Sequence, residues 1–192
     1  MRAALILLVI MLGAAAVVWA ARTPRGDEKV VQPVALDPVA RGKYLVTIMA
    51  CADCHTPRNE KGEMITEMLF AGHPEKAPLP VWEPSMLEKG IVATTAPTLT
   101  AFAGPFGTSV ATNLTPDLET GMGVLSVEGF MQSWRTGQHW KHPRPILPPM
   151  PAPLYKDMDE ADMRAIFAYL RTVPPVKNRT PESVSLLPAQ GH

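Results

Sequence analysis

The residues Cys51-Ala52-Asp53-Cys54-His55 decide the fold that this chain is expected to adopt. A Cys-x-x-Cys-His run is typical of covalent attachment of a c-type haem. Residues three and four apart lie on one face of a helix, so Cys51, Cys54 and His55 can all address one flat ligand. The two sulfurs would form thioethers with the porphyrin, and the His55 imidazole would bind the iron. The run therefore predicts one covalently attached haem c.

The cysteine count limits the other functions that the pair could have. The chain holds two cysteines, Cys51 and Cys54, and both lie in this run. A structural zinc site usually takes four ligands, often two cysteine pairs, and no second pair is present. A thioredoxin-like redox pair would need a βαβ setting, which the surrounding sequence does not show. A local disulfide, or a chance match, is the remaining alternative.

The composition indicates one loop-rich domain with appendages. The chain has 192 residues, 21 of them proline and 5 phenylalanine, which predicts few long regular elements and a modest apolar core. A haem would supply a large apolar surface for such a chain to fold around. The 18 basic residues balance the 18 acidic ones, so the overall charge does not indicate nucleic acid as a partner.

The N-terminal stretch is expected to export the protein. Residues 3–21 carry no charge and lie between Arg2 and Arg22. A membrane-spanning helix needs about 20 apolar residues, and the apolar part of a secretory signal about 7–15. The length favours an uncleaved signal anchor; a signal peptide cleaved after Val18-Trp19-Ala20 is the alternative. The predicted organisation is an anchor or signal peptide over 1–21, a linker over 22–36, a haem domain over 37–177 and a loosely held tail over 178–192.

Three helices are predicted from capping residues and apolar stripes. Their predicted bounds are Pro38 to about Ala50 after Asp37, Ser126 to Gly137, and Asp159 to the Pro174-Pro175 pair. Gly42 costs the first helix about 1 kcal/mol relative to alanine, so it marks either a close helix crossing or an accidental weak point in the helix. Tyr169 on the last helix is the aromatic residue expected to pack against it. Residues 57–125 show little periodicity, apart from a short helix near Pro84–Lys89 and extended pieces near Ile91–Thr95. Thr112, Asn113 and Thr115 within this stretch would either bond a haem propionate or form a turn.

The second axial ligand of the iron is sought among the 11 methionines and the four histidines other than His55, of the 5 in the chain. Met150 is favoured because prolines flank it in Leu147-Pro148-Pro149-Met150-Pro151 and stiffen the backbone that would present its sulfur. His139 and His142 are rivals, since either would give a bis-histidine site, and His73 is a weaker one. Lys141, His142 and Arg144 beside this loop form a candidate basic patch for an acidic redox partner, or a solvated loop.

Beyond the haem motif, the chain resembles the monohaem class I cytochromes c, and in particular the cytochrome c domains of bacterial membrane-bound dehydrogenases. The segments that carry the resemblance follow the haem motif in order: Asn113–Gly123, Arg135-Thr136-Gly137, Pro148–Pro151 and Ala165–Arg171. The resemblance implies an all-α fold wrapped around one haem, with His55 and Met150 as axial ligands, a long loop-rich insertion over 57–125 and an N-terminal membrane helix.

The function implied by that resemblance is electron transfer without catalysis by the chain itself. The protein would pass single electrons between a dehydrogenase or respiratory complex and a redox partner protein, on the periplasmic side of a bacterial inner membrane. The alternative is a haem enzyme or ligand sensor of peroxidase type, in which Met150 leaves the sixth position of the iron open.

Overall fold

Helices enclose most of the main core, and a small sheet carries a second, smaller apolar cluster. The structure, a computed structural model, describes residues 37–142 and 144–187. Within these residues the helices are α1 (Pro38–Ile48), α2 (Cys51–His55), a 3-10 helix (Thr66–Met68), α3 (Ser85–Glu88), α4 (Val127–Thr136), α5 (Ala152–Tyr155) and α6 (Glu160–Leu170). The strands are β1 (Thr94–Thr95), β2 (Ala101–Gly104), β3 (Gly107–Val110) and β4 (Val184–Ser185).

Helices α1 and α6 cross at Gly42, as the sequence predicts. The side chain of Asp37 accepts a hydrogen bond from the backbone N–H of Ala40 at 3.1 Å and caps α1. A β-carbon on Gly42 would lie 1.9 Å from the carbonyl oxygen of Ala165 and 2.8 Å from the β-carbon of Tyr169. Only glycine therefore allows the two helices to approach this closely, and the predicted contact between Gly42 and Tyr169 is confirmed.

Helix α4 also has the predicted ends and the predicted apolar stripe. The hydroxyl of Ser126 accepts a hydrogen bond from the backbone N–H of Gly129 at 3.1 Å, and Gly137 ends the helix in the left-handed region with φ of 67°. Phe130 and Trp134 are buried, with ring centroids 4.6 Å apart. They pack in one core cluster with residues of α1 and α6, so three predicted helices share one apolar interior.

The prediction of an all-α fold is wrong. Strands β1 to β4 form an antiparallel sheet of four strands in the order β1-β2-β3-β4, inside and beyond the stretch expected to be loop. Its central hairpin pairs Ala101 with Val110 and Gly104 with Gly107. The strands have two to four residues and contain alanine, glycine and serine, which are poor strand formers. Hydrogen bonds between strands and a small apolar cluster of Ala96, Ala101 and Val110 stabilise a sheet that local sequence preference does not predict.

The short elements predicted within the insertion, residues 57–125, are present in part. Helix α3 lies within the predicted Pro84–Lys89, and β1 lies within the extended stretch predicted near Ile91–Thr95. The expected N-terminal membrane helix, residues 3–21, and the linker over 22–36 lie outside the described residues. Among residues 37–142 and 144–187 no helix has the length and apolar character to cross a membrane.

The described chain after Lys177 is tied to the body, contrary to the expectation of a loose tail. Asn178 is buried, and its side-chain amide donates to the carbonyl oxygens of Ala71 at 2.8 Å and His73 at 2.9 Å. Strand β4 pairs with β3 as the last strand of the sheet. Side-chain hydrogen bonds to the backbone, which carry no periodic signal in the sequence, hold this segment.

Candidate functional site

One cavity collects the residues that the sequence singles out. Cys51, Cys54, His55 and Met150 all line it. Its atom-free space measures about 1140 Å³, part of which is open to solvent. Because this space is shared with solvent, the chemistry of the lining residues indicates which ligand fits the cavity.

A break between α1 and α2 brings the two cysteines to the cavity. Ala50 adopts φ of 54°, in the left-handed region, and redirects the chain from α1 into the short helix that holds Cys51 and Cys54. Neither cysteine forms a disulfide. Burial raises the pKa of Cys51 to about 11 and also raises the pKa of Cys54. Redox-active Cys-x-x-Cys pairs need a lowered thiol pKa, so the surroundings of these thiols disfavour that function.

His55 is held in the orientation that a metal ligand requires. Its Nδ1 atom lies 2.8 Å from the carbonyl oxygen of Thr112, which can only accept. The proton of the neutral ring is therefore on Nδ1, and Nε2 keeps its lone pair. Burial is the largest cause that lowers the pKa of His55, so the ring is neutral at pH 7. A bond of this kind is the usual support of a metal-binding histidine.

Met150 reaches the cavity from the proline-rich loop between α4 and α5. Pro149 and Pro151 on either side of it also line the cavity. Two other methionines, Met49 and Met122, line the cavity as well, but both pack in the main core cluster. Met150 is half-buried and lies outside that cluster. Of these three thioethers, the one of Met150 is therefore the least committed to core packing.

The walls of the cavity are mostly apolar and aromatic. Trp134 and Tyr155 stack with ring centroids 4.8 Å apart, and Phe130 contacts Trp134. Leu147 and Ile166 add fully buried aliphatic surface. Such walls suit the flat, apolar body of a porphyrin and exclude water from its faces.

A narrow hairpin supplies the polar edge of the cavity. The backbone N–H of His139 donates to the carbonyl oxygen of Arg144 at 2.9 Å, and Gln138 pairs with Pro145. The side chains of His139 and Arg144 both line the cavity, and each has a buried nitrogen, Nε2 and Nε respectively, without a hydrogen-bond partner. Two such N–H donors fit the carboxylates of a haem. With the apolar walls and the cysteine–histidine donor set, they show that the residues present fit this group.

The other candidate ligands are placed differently. His73 is fully buried away from the cavity, where its ring nitrogens lie 2.9 Å from Thr100 Oγ1 and 3.2 Å from the carbonyl oxygen of Ala77. His142 does not line this cavity, and its Nδ1 atom lies 3.8 Å from Glu182. Neither of them lines the cavity that His55 faces.

Two of the three side chains expected to bond a propionate or form a turn, those of Asn113 and Thr115, form hydrogen bonds within the protein. Asn113 donates to the carbonyl oxygen of Val176 at 2.8 Å, and the hydroxyl of Thr115 donates to Asn113 Oδ1 at 2.7 Å. Thr112 contributes its backbone carbonyl to His55. Sequence reasoning missed this role, because any residue type can supply a carbonyl oxygen. It also missed Phe102, Ser109 and Ser183, which reach the cavity from the sheet and its flank.

Comparison with known proteins identifies relatives of the chain. A family model described as cytochrome c matches residues 39–174. The gluconate 2-dehydrogenase cytochrome c subunit of Pantoea cypripedii is 30% identical over 146 residues, which are 76% of this chain and 25% of that protein. The alcohol dehydrogenase (quinone) cytochrome c subunit of Gluconobacter oxydans is 26% identical over 147 residues, 75% of this chain and 24% of that protein.

A third relative matches a shorter stretch. A nicotinate dehydrogenase subunit from Pseudomonas putida is 37% identical over 84 residues, which are 44% of this chain and 7% of that protein. The matched part of the chain thus spans a quarter or less of the length of each of these three relatives.

Proposed function

This chain belongs to the cytochrome c family, and on that premise we propose that it carries single electrons through one haem whose iron is bound by His55 and Met150. Family membership and the single Cys51-x-x-Cys54 motif indicate one covalently attached haem c. When bound, this group supplies an iron that alternates between the ferric and ferrous states. The observation that carries the proposal is the convergence of Cys51, Cys54, His55 and Met150 on one cavity.

His55 would hold the iron through Nε2, because its ring is neutral and its Nδ1–H is fixed by the Thr112 carbonyl at 2.8 Å. The bond orients the ring and increases the electron density on the coordinating nitrogen. A ligand held in this way keeps its position in both oxidation states, so little reorganisation accompanies electron transfer.

Met150 is the second axial ligand that the surroundings support best. Its main rival in the cavity, His139, accepts a hydrogen bond on Nδ1 from the backbone N–H of Lys141 at 3.2 Å. The proton of the His139 ring is therefore on Nε2, which leaves that nitrogen no lone pair for a metal. A methionine sulfur stabilises the reduced state and raises the reduction potential, as in other His/Met cytochromes.

If His55 and Met150 both held the iron, no substrate would need to reach it. The apolar walls formed by Trp134, Tyr155 and Leu147 support the same conclusion, because they offer few polar groups to a reacting substrate. A haem enzyme or ligand sensor would need Met150 to leave the sixth position open.

Optical spectroscopy with carbon monoxide separates these functions. We expect the oxidised holoprotein to show the near-infrared charge-transfer band of a Met–iron bond and the reduced holoprotein to refuse carbon monoxide. Met150→Leu removes the band and opens the site to carbon monoxide. Met122→Leu and Met49→Leu are matched controls, since both methionines line the cavity, and both variants keep the band. A wild-type protein that binds carbon monoxide readily would favour the enzyme or sensor.

The named relatives support a place for this carrier next to a dehydrogenase. Two of them are cytochrome c subunits of dehydrogenases, and the chain aligns with about a quarter of each. We propose that this chain accepts electrons from a membrane-bound dehydrogenase and passes them to a second redox protein. The proposal includes a periplasmic position and an anchor formed by residues 3–21.

Isolation from the native membrane tests this assignment. Alkaline carbonate should leave the wild-type protein in the membrane fraction, whereas a chain that begins at residue 22 behind a cleavable signal should be released. A dehydrogenase that copurifies in detergent, and reduces the haem when given its substrate, would identify the electron donor. Release of the wild-type protein by carbonate would contradict the anchor but not the carrier function.

A further inference from the structure

Two buried N–H groups in the cavity wall have no acceptor. His139 accepts the Lys141 backbone N–H on Nδ1 at 3.2 Å, so its own ring proton is on Nε2, and that atom is buried without a partner. Arg144 donates from Nη1 to the carbonyl oxygen of Pro145 at 3.1 Å, while its buried Nε–H has no partner. A buried donor left unpaired destabilises the protein, so both call for an acceptor from a bound molecule.

The charges around the two N–H donors favour an anion as the bound group. Among the described residues that line the cavity, Arg144 is the one permanently cationic side chain. Burial is the largest cause that lowers its pKa, and Glu182 acts in the opposite direction without forming an ion pair with it. An unpaired, partly buried guanidinium is best compensated by a carboxylate, which can accept from both donors.

The position of the hairpin indicates which part of a ligand would meet it. A second, polar cavity shares Thr112, His139, Trp140 and Arg144 with the apolar one. The hairpin therefore lies where apolar walls give way to polar ones. A molecule with an apolar body and an anionic edge would place that edge here.

We propose that His139 and Arg144 together bind one propionate of the haem, through Nε2–H and Nε–H. This inference rests on the proposed function, since it needs the haem in the cavity. Arg144 compensates the negative charge of the carboxylate, which would otherwise favour the ferric state of the nearby iron. The pair thus positions the edge of the haem and raises its reduction potential. Arg144 accordingly belongs to this site and not to a surface patch for a partner.

The surrounding charges provide a matched control. Lys141 lies on the same hairpin, is exposed, and lines only the polar cavity. Lys141→Gln and Arg144→Gln remove the same charge from neighbouring positions. The effect of an exposed charge is screened at high salt, whereas that of a partly buried one persists.

The test measures the reduction potential and the propionate bending modes in the resonance Raman spectrum of the holoprotein. We expect Arg144→Gln to shift the redox equilibrium toward the oxidised form about tenfold, which is about 59 mV for one electron. The shift should persist at high salt, and the propionate modes should move. Lys141→Gln should leave the modes unchanged and give a shift that high salt removes.

A second pair of variants keeps the proposal testable if Arg144→Gln folds poorly. His139→Leu removes the donor and should move the same Raman modes, whereas His139→Gln retains an N–H donor and should largely restore them. Unchanged modes in both Arg144→Gln and His139→Leu would overturn the proposal, as would a potential shift equal to that of Lys141→Gln. The charge-transfer band of the Met–iron bond, recorded on the same samples, shows separately whether the proposed ligation holds.

Discussion

The carbonyl oxygen of Ala165 occupies the position where any side chain at residue 42 would begin, since a β-carbon on Gly42 would lie 1.9 Å from it. The obstacle is backbone, so a change of side-chain rotamer cannot relieve it. This one glycine allows α1 and α6 to lie as close together as they do. The Cys51–His55 segment follows α1 directly in the chain.

Gly42→Ala is expected to destabilise the holoprotein by about 3 kcal/mol, because the two helices must move apart. The measurement is the free energy of unfolding in guanidinium chloride. Gly129→Ala is the matched control, since it also lies within a helix but a β-carbon there meets the flexible Leu125 side chain at 2.9 Å. The control should be neutral or slightly stabilising, because alanine favours a helix. Equal stabilities of the two variants would contradict the close crossing.

Asn178→Ala is expected to cost about 2–3 kcal/mol in the free energy of unfolding, because it leaves buried carbonyl groups without donors. The side chain also accepts a hydrogen bond from the backbone N–H of Glu75 at 3.1 Å. Asn59→Ala removes comparable turn contacts at an exposed position and should cost less than about 1 kcal/mol. A loss for Asn178→Ala no larger than for Asn59→Ala would show that this segment is not held as described.

The ion pair between Arg41 and Asp162 is expected to make stability depend on acid pH. Two hydrogen bonds of 2.9 Å join the guanidinium and the carboxylate, and the bond to Arg41 is the first cause that lowers the pKa of Asp162. A folded-state pKa below the unfolded one stabilises the protein above the unfolded pKa, near 3.9, and this stabilisation is lost as the pH falls through the folded value.

Urea unfolding of wild type and Asp162→Asn at several pH values tests this pair. The difference between their midpoints should be present at pH 6 and disappear toward pH 2. Arg164 and Glu160 form a more exposed pair within α6, and Glu160→Gln should show a smaller difference. A constant difference over the whole range would exclude titration of Asp162 as its cause.

His73 is expected to reduce stability below neutral pH. Burial is the largest cause that lowers its pKa in the folded protein. As the pH falls through about 6.5, the unfolded chain binds a proton on His73 that the folded protein does not bind. The stabilisation is therefore fully present above that pH and decreases as the pH falls toward the pKa of the folded state. The slope of the unfolding free energy from this residue can reach about 1.4 kcal/mol per pH unit.

His73→Gln retains hydrogen-bonding groups without a titrating ring. Between pH 7.5 and 5.5 its unfolding free energy should fall less than that of the wild type, while His55 and His139 contribute equally to both. The same slope in both proteins would mean that the folded chain accepts the proton on His73 without cost.

The helices could be predicted from the sequence because residues close together in the chain determine where a helix ends and which of its faces is apolar. Asp37, Ser126 and Gly137 mark helix ends through side chains or conformations that act within a few residues. Gly42 and Tyr169 indicated a crossing because a glycine within an apolar helix has few other uses. The Cys51–His55 motif likewise carries its chemistry in contiguous residues, and the cofactor it predicts agrees with the family to which the chain belongs.

The sheet and much of the cavity wall could not be predicted from local residues. Strands β2 and β3 rely on pairing with each other, and their small residues give no alternating pattern. The Thr112 carbonyl that orients His55 belongs to the backbone, and Ser183 reaches the cavity through the position of β4. Such roles depend on residues far apart in the chain. The assignment of Met150 as an iron ligand stays a prediction until its spectrum is recorded.

Ser183 and strand β4 complete a wall of the cavity from the far end of the described chain. In a chain that crosses the membrane from its N-terminus, as proposed, Cys51 and Cys54 emerge before Ser183. The two thiols are then reachable for thioether formation before the last strand can add to the wall. The order of export thus gives access to the thiols at a stage when the finished pocket does not yet restrict it.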